Sequence, residues 1–239
     1  QLGRVLATQG AAASGAIDLR TGTASGNSGG INVVTGSSTS QSGGDILLSV
    51  GTSGQGVGGD ISVIAGKSTD VTGGAISISS GTSVEGSSGG VSLGSADAGK
   101  TGSSGNVKLT TGTASSGSSG TISLTTGTSA ENVGGSIVLS VGTGDSGAGG
   151  SINVKAGDST QQNGGSVLVR SGGSIEQGSG AINITSANAG NEGASGNISM
   201  STGDAKLANS GELTLSTGAS TEGRGGDITV AVGASVGAF

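Results

Sequence analysis

The chain lacks most of the residues that build an ordinary globular core or an ordinary active site. Its 239 residues include no Pro, Cys, His, Trp or Tyr, and a single Phe, Phe239. Without cysteine there is no disulfide framework. Without histidine or cysteine, the usual nucleophilic pairs and metal-thiolate sites cannot form. Without aromatic side chains, any core has to be thin and aliphatic. The composition therefore argues against an enzyme, and we expect no cofactor.

Charge and hydropathy exclude two further classes of partner. The formal net charge is −6, from 9 basic and 15 acidic residues, so the basic patch that nucleic acid requires is missing. No apolar run approaches the roughly 20 residues of a membrane-spanning helix, and we expect no membrane insertion. The chain begins at Gln1 without a charged and apolar leader. We interpret it as a piece of a longer polypeptide, in preference to a chain whose signal was removed.

What the chain does contain is a repeat of about 15 residues, written most plainly as GTISLTTG at 120–127. We call the glycine that opens each repeat its anchor glycine. The anchor glycines are Gly15, Gly29, Gly44, Gly59, Gly74, Gly89, Gly105, Gly120, Gly135, Gly150, Gly165, Gly180, Gly196, Gly211 and Gly226. One of their spacings is 14, two are 16 and the rest are 15 residues. Such an array leaves no room for a separate catalytic domain.

Two positions in every repeat are aliphatic, with polar residues between them. The first aliphatic column, two residues after the anchor, is Ile17, Ile31, Ile46, Ile61, Ile76, Val91, Val107, Ile122, Ile137, Ile152, Val167, Ile182, Ile198, Leu213 and Ile228. The second, two residues further on, is Leu19, Val33, Leu48, Val63, Ile78, Leu93, Leu109, Leu124, Leu139, Val154, Val169, Ile184, Met200, Leu215 and Val230. This alternation is typical of a strand with one buried face. A column of small residues follows, beginning Thr21, Thr35, Val50, Ala65 and Ser80.

These columns predict an all-β fold in which successive coils stack and bury a continuous ladder. We expect one continuous β-solenoid over residues 1–239, with about fifteen coils of about 15 residues. Regular coils would occupy 15–233, and 1–14 and 234–239 would be junctions or partial coils. The glycines after each strand, such as Gly22 and Gly36, are predicted corners that use positive φ. The predicted core ladder is Ile17, Ile46, Ile61, Ile76, Val107, Ile122, Ile137, Ile152, Leu48, Leu109, Leu124 and Leu139.

A longer repeat overlies the short one. VIAGKST at 63–69 recurs as VKAGDST at 154–160, and GSADAGKTGSSGN at 94–106 recurs as TSANAGNEGASGN at 185–197. Each offset is 91 residues, which is six coils, one of them lengthened; the long coils begin at Gly89 and Gly180. This six-coil super-repeat is either the duplication of a gene segment alone or the axial unit of a repeating assembly.

Acidic residues provide the candidate metal ligands. We call a position counted from the anchor glycine a phase of the repeat. Asp45 and Asp60 share one phase in neighbouring repeats, and Asp70 and Glu85 share another. Stacked carboxylates of this kind either hold Ca²⁺ or are simply solvated. A nonapeptide calcium roll is disfavoured, because GGDI occurs only at 43, 58 and 225.

Charges and outward aliphatic residues also fall into phases. An acidic late-loop phase contains Asp70, Glu85, Glu131, Glu176 and Glu222, and a basic phase contains Arg20, Lys155 and Arg170. Either these charges solvate the molecule or they align neighbouring molecules through complementary edges. Outward aliphatic residues are Val34, Leu47, Ile64, Val138 and Leu168.

Two sequons, Asn183-Ile-Thr185 and Asn197-Ile-Ser199, make Asn183 and Asn197 candidate N-glycosylation sites in a secreted eukaryotic protein.

The repeat resembles the Gly/Ser/Thr-rich solenoid arrays of large extracellular adhesin-like and algal cell-surface proteins. That resemblance implies a secreted, passive, extended element and carries over no functional residue. We therefore expect a structural protein, the building block of an extracellular filament, fibre or cell-surface appendage, that binds copies of itself end to end and laterally by stacking of coils. The alternative is an ice-binding or glycan-binding module of a large adhesin. A phase of Thr23, Thr52, Thr82, Thr113, Thr128 and Thr143 supports ice binding, and Ser37, Lys67, Asp97 and Asp158 interrupt it.

Overall fold

The computed structural model describes residues 16–234, and within this range there is no α-helix and no β-strand. The predicted all-β solenoid is therefore wrong for the regular coils that the sequence places there. The predicted junctions at 1–14 and 234–239 lie outside the described residues, except for residue 234.

The predicted core ladder is not a core. No residue of the described range is buried, and the ladder side chains keep between 51% (Ile122) and 73% (Leu139) of their surface exposed. The accessible surface of the chain is 24133 Å². A compact protein of this mass, 21.8 kDa, would expose about 9,000 Å². The aliphatic columns are thus left open to solvent.

The hydrogen bonds do not follow the pattern that a solenoid requires. A ladder between stacked coils would join backbone groups about one repeat apart. The described hydrogen bonds instead join residues two, three, eight or nine positions apart, and none reaches beyond the next anchor glycine. Each repeat places only two large aliphatic side chains in the predicted ladder, and 55 of the 239 residues are glycine. Glycine loses the most backbone entropy on ordering, and a chain this rich in Gly and Ser buries little apolar area in return.

The structure does repeat, as a sharp bend in the chain once per repeat. The bends lie at 25–26, 39–41, 54–56, 69–71, 84–86, 100–101, 115–117, 130–132, 145–147, 160–162, 175–177, 191–193, 206–208 and 221–223. Their first residues are 14, 15 or 16 positions apart, and the two 16-residue steps lead into the bends of the long repeats, at 100–101 and 191–193. The period of the sequence therefore reappears as a period of backbone geometry.

The chain divides into two units, Gln1–Ile122 and Ser123–Phe239. In the first unit the described bends run from 25–26 to 115–117, and in the second from 130–132 to 221–223. Each unit is thus a series of similar loops, and each loop is the same kind of local structure.

Candidate functional site

Each described repeat closes into a loop at the next anchor glycine. The residue six positions after one anchor, which we call the closure residue, lies against the anchor that follows. A β-carbon placed on that anchor would lie between 2.8 and 3.7 Å from the closure side chain in every case. The closure residues are Thr21, Thr35, Val50, Ala65, Ser80, Ser95, Thr111, Thr126, Val141, Ala156, Ser171, Ser186, Thr202 and Thr217. The repeat loop is therefore the recurring structural unit.

The contacts that hold a loop vary with its closure residue. Where it is Ala65, the amide of Gly74 donates a hydrogen bond to the carbonyl of Gly66 at 2.9 Å. The loops closed by Ser80, Ala156 and Ser171 form the same bond at 2.9–3.0 Å. Thr35 donates from its hydroxyl to the carbonyl of Gly44 at 3.0 Å instead. Alanine or serine thus admits a backbone hydrogen bond in these four loops, but the described loops closed by Ser95 and Ser186 form none, and Thr35 and Thr126 use their own hydroxyl instead.

Valine closes its loop by contact, and it makes the anchor glycine obligatory. A β-carbon on Gly59 would lie 2.8 Å from Cγ1 of Val50, a separation that real β-carbons essentially never show. Gly150 stands in the same relation to Val141, also at 2.8 Å. At these two anchors glycine is needed because of close approach.

The predicted corner glycines have a different status. No glycine of residues 16–234 has a positive φ, so the prediction that the corners use left-handed backbone is wrong. A β-carbon on Gly22 or Gly36 would meet nothing within 4 Å. The glycines with the closest approach are the anchors Gly59 and Gly150, where a valine side chain lies against the backbone.

A serine in eight loops hydrogen-bonds across the bend, and the sequence analysis missed it. The hydroxyl oxygen of Ser53, for example, accepts a hydrogen bond from the amide of Gly56 at 2.9 Å. The other serines are Ser38, Ser68, Ser83, Ser129, Ser159, Ser174 and Ser220. All lie nine residues after an anchor, where the remaining described repeats carry only Ala or Gly. Serine favours such local turns because its hydroxyl bonds nearby backbone amides.

The four candidate calcium ligands do not assemble into a site. Asp70 and Glu85 lie in the bends at 69–71 and 84–86, and Asp45 and Asp60 each directly follow an anchor glycine. Within residues 16–234, no group of three or more acidic side chains is placed to hold a metal ion. The same range contains no cavity that would shield a cation or a small ligand from water.

Charged side chains pair with near neighbours in the chain. Arg20 donates from Nε to Asp18 at 2.7 Å, and Nζ of Lys155 lies 2.6 Å from Asp158. All four side chains are more than 60% exposed. Pairs this exposed contribute little to stability, so they orient side chains within one repeat.

The remaining predicted positions are open to solvent. Asn183 and Asn197 are exposed and lie outside the bends, and the threonines of the Thr23 phase are exposed as well. No sheet underlies those threonines in the described range, so nothing there holds them in a flat array.

Residues 16–234 contain no helix with the length and apolar character needed to cross a membrane. Comparisons with family models, with curated proteins and with solved structures find no match to this chain.

Proposed function

We propose that this protein is a structural building block of an extracellular filament, fibre or cell-surface appendage, and that it assembles with copies of itself. One observation carries the proposal: an unbroken tandem repeat leaves every aliphatic column uncovered in the single chain. Because the described residues contain no stacked coils, the proposal rests on association through these side chains and not on end-to-end addition of coils. The extracellular location rests on the resemblance to cell-surface repeat proteins.

Differences in exposure among the aliphatic side chains support some of them over others as contacts in this assembly. The first aliphatic column is 48–67% exposed and the second is 62–78% exposed, except Val230 at 92%. The outward aliphatic residues reach 80–87%. The side chains of the two columns are thus more sheltered than the outward ones, which makes them the better candidates for contact with a partner.

The uncovered area is large enough for a stable interface. Burying one Leu, Ile or Val side chain removes roughly 100 Å² from water. The two columns contain thirty side chains. With half or more of each exposed, they offer on the order of 1,500 Å², which is the total area of a standard protein interface. Burial of apolar area of this extent favours association in water.

Three charge substitutions in the first aliphatic column test this proposal. The variant is Ile122→Asp, Ile137→Asp and Ile152→Asp, and we expect it to stay monomeric because a carboxylate would have to be buried in the interface. The unaltered chain should form larger species as its concentration rises, and sedimentation velocity would measure both.

The matched control adds the same three charges one residue earlier, as Thr121→Asp, Ser136→Asp and Ser151→Asp. It should assemble as the unaltered chain does. The proposal fails if the unaltered chain remains monomeric at millimolar concentration, or if the two triple variants assemble equally. Electron microscopy of the native material should show fibres.

A further inference from the structure

The closure residues follow an order that repeats every six loops. From Thr21 they read Thr, Thr, Val, Ala, Ser, Ser, then the same six again from Thr111, and Thr202 and Thr217 begin a third round. From Thr35 onward, each is matched by the same residue 91 positions later. The aliphatic columns show no comparable order, since Ile, Val and Leu interchange within them.

The geometry of the loops follows this order. The bond from Gly74 to Gly66 recurs 91 residues later from Gly165 to Gly157, at 2.9 Å in both loops. The 2.8 Å approach at Gly59 recurs at Gly150. The hydroxyl bond of Thr35, at 3.0 Å, recurs at Thr126, at 3.2 Å. Successive loops therefore close in several ways, and the loops closed by Thr35, Val50, Ala65 and Ser80 close as their counterparts 91 residues later do.

Loop length follows the same order. The two 16-residue repeats begin at Gly89 and Gly180, and their bends lie at 100–101 and 191–193. If two copies were displaced by one repeat, each long repeat would face a 15-residue one. Each valine closure would then also face an alanine or threonine closure. If the copies are displaced by 91 residues instead, each long repeat faces another long repeat and each valine closure faces another valine closure.

We propose that two copies of this chain associate in parallel with a register of zero or 91 residues, and that the closure residues and the long loops set that register. This inference rests on the proposed function, because it assumes self-association through the aliphatic columns. A second copy is the partner that fits, because it presents aliphatic columns with the same 14-, 15- and 16-residue spacings. The columns supply attraction at every repeat, and the loops discriminate between registers.

Single cysteines at the loop bends can measure the register, since the chain has no cysteine of its own. Glu85, Glu131 and Glu176 occupy the central position of their bends and are exposed. Glu85 and Glu176 are 91 residues apart, whereas Glu131 lies three repeats from each. The variants Glu85→Cys, Glu131→Cys and Glu176→Cys would be mixed in pairs, assembled, oxidised and analysed by mass spectrometry for mixed disulfides.

We expect the 85–176 disulfide to form on the order of tenfold more than the 85–131 disulfide, a ratio that corresponds to about 1.4 kcal/mol between registers. A disulfide between the same position in two copies, such as 85–85, indicates a register of zero. The same mixtures kept dilute and monomeric give the background.

The two proposals fail in different ways. If sedimentation shows no assembly, self-association itself is overturned. If the chains assemble and the 85–131 disulfide forms as readily as the 85–176 disulfide, copies slip freely by whole repeats. In that case the register is overturned and self-association stands.

Discussion

At the scale of single residues, the closure residue explains why glycine is needed at certain anchor positions. Glycine is abundant throughout the chain, and abundance alone does not separate the glycines that sterics require from those they do not. The structure separates them: Gly59 has Val50 against it, while its neighbour Gly58 has open space. Since no described glycine has a positive φ, close approach is what distinguishes the required ones.

Gly59→Ala should open the loop that Val50 closes. The added β-carbon would lie 2.8 Å from Cγ1 of Val50, so one of the two has to move away. We expect the nuclear Overhauser effect between the Val50 methyl groups and residue 59 to disappear. Gly58→Ala is the matched control and should leave that signal intact.

A second substitution should restore the closure. Val50→Ala combined with Gly59→Ala removes the methyl group that the new β-carbon meets, and the contact between residues 50 and 59 should return. Persistence of the Val50 signal in Gly59→Ala alone would contradict this account of the anchor glycine.

At the scale of the repeat, the sequence predicted the period but neither the bends nor the contacts within a loop: the predicted corners Gly22 and Gly36 precede the bends at 25–26 and 39–41. The anchor spacings of 14, 15 and 16 residues recur as the spacings of the bends. The serine nine residues after the anchor went unnoticed because Ala and Gly share its position, and the shared property is small size. A column of mixed Ser, Ala and Gly is not apparent when only the hydroxyl-bearing residues of the repeats are aligned.

Ser129→Ala should loosen one bend without affecting the others. It removes the acceptor of the Asn132 amide, which lies 3.1 Å from the serine hydroxyl. A net hydrogen bond contributes about 0.5–1.5 kcal/mol, so exchange of the Asn132 amide should become roughly two- to tenfold faster. Amide exchange measured by NMR provides the readout.

The reverse substitution can be made in a repeat that lacks this serine. Ala205 takes the place of the serine in its own repeat. Ala205→Ser should slow exchange of the amide three residues on, at Ala208. Equal exchange at Asn132 before and after Ser129→Ala would mean that the hydroxyl does not hold the bend.

At the scale of the whole molecule, the sequence shows which residues are equivalent but not whether they touch. Two aliphatic columns in phase through fifteen repeats are what a solenoid requires, and in the described residues they are present without the sheet. Stacking depends on whether the apolar area gained exceeds the entropy lost by ordering a Gly-rich backbone. Periodicity carries no information on that balance. The absence of aromatic residues led us to predict a thin aliphatic core. In the structure it means that the chain has too little apolar surface area to bury.

The central claim is that a single chain forms a series of locally closed loops without a sheet between them. Amide hydrogen exchange across the monomeric chain, in dilute solution, tests it most directly. The account predicts weak protection confined to loop amides such as Gly74, Gly165 and Asn132, with none along the aliphatic columns. Strong, continuous protection at the amides of the two columns, repeat after repeat, would reveal hydrogen bonding between repeats and would contradict it.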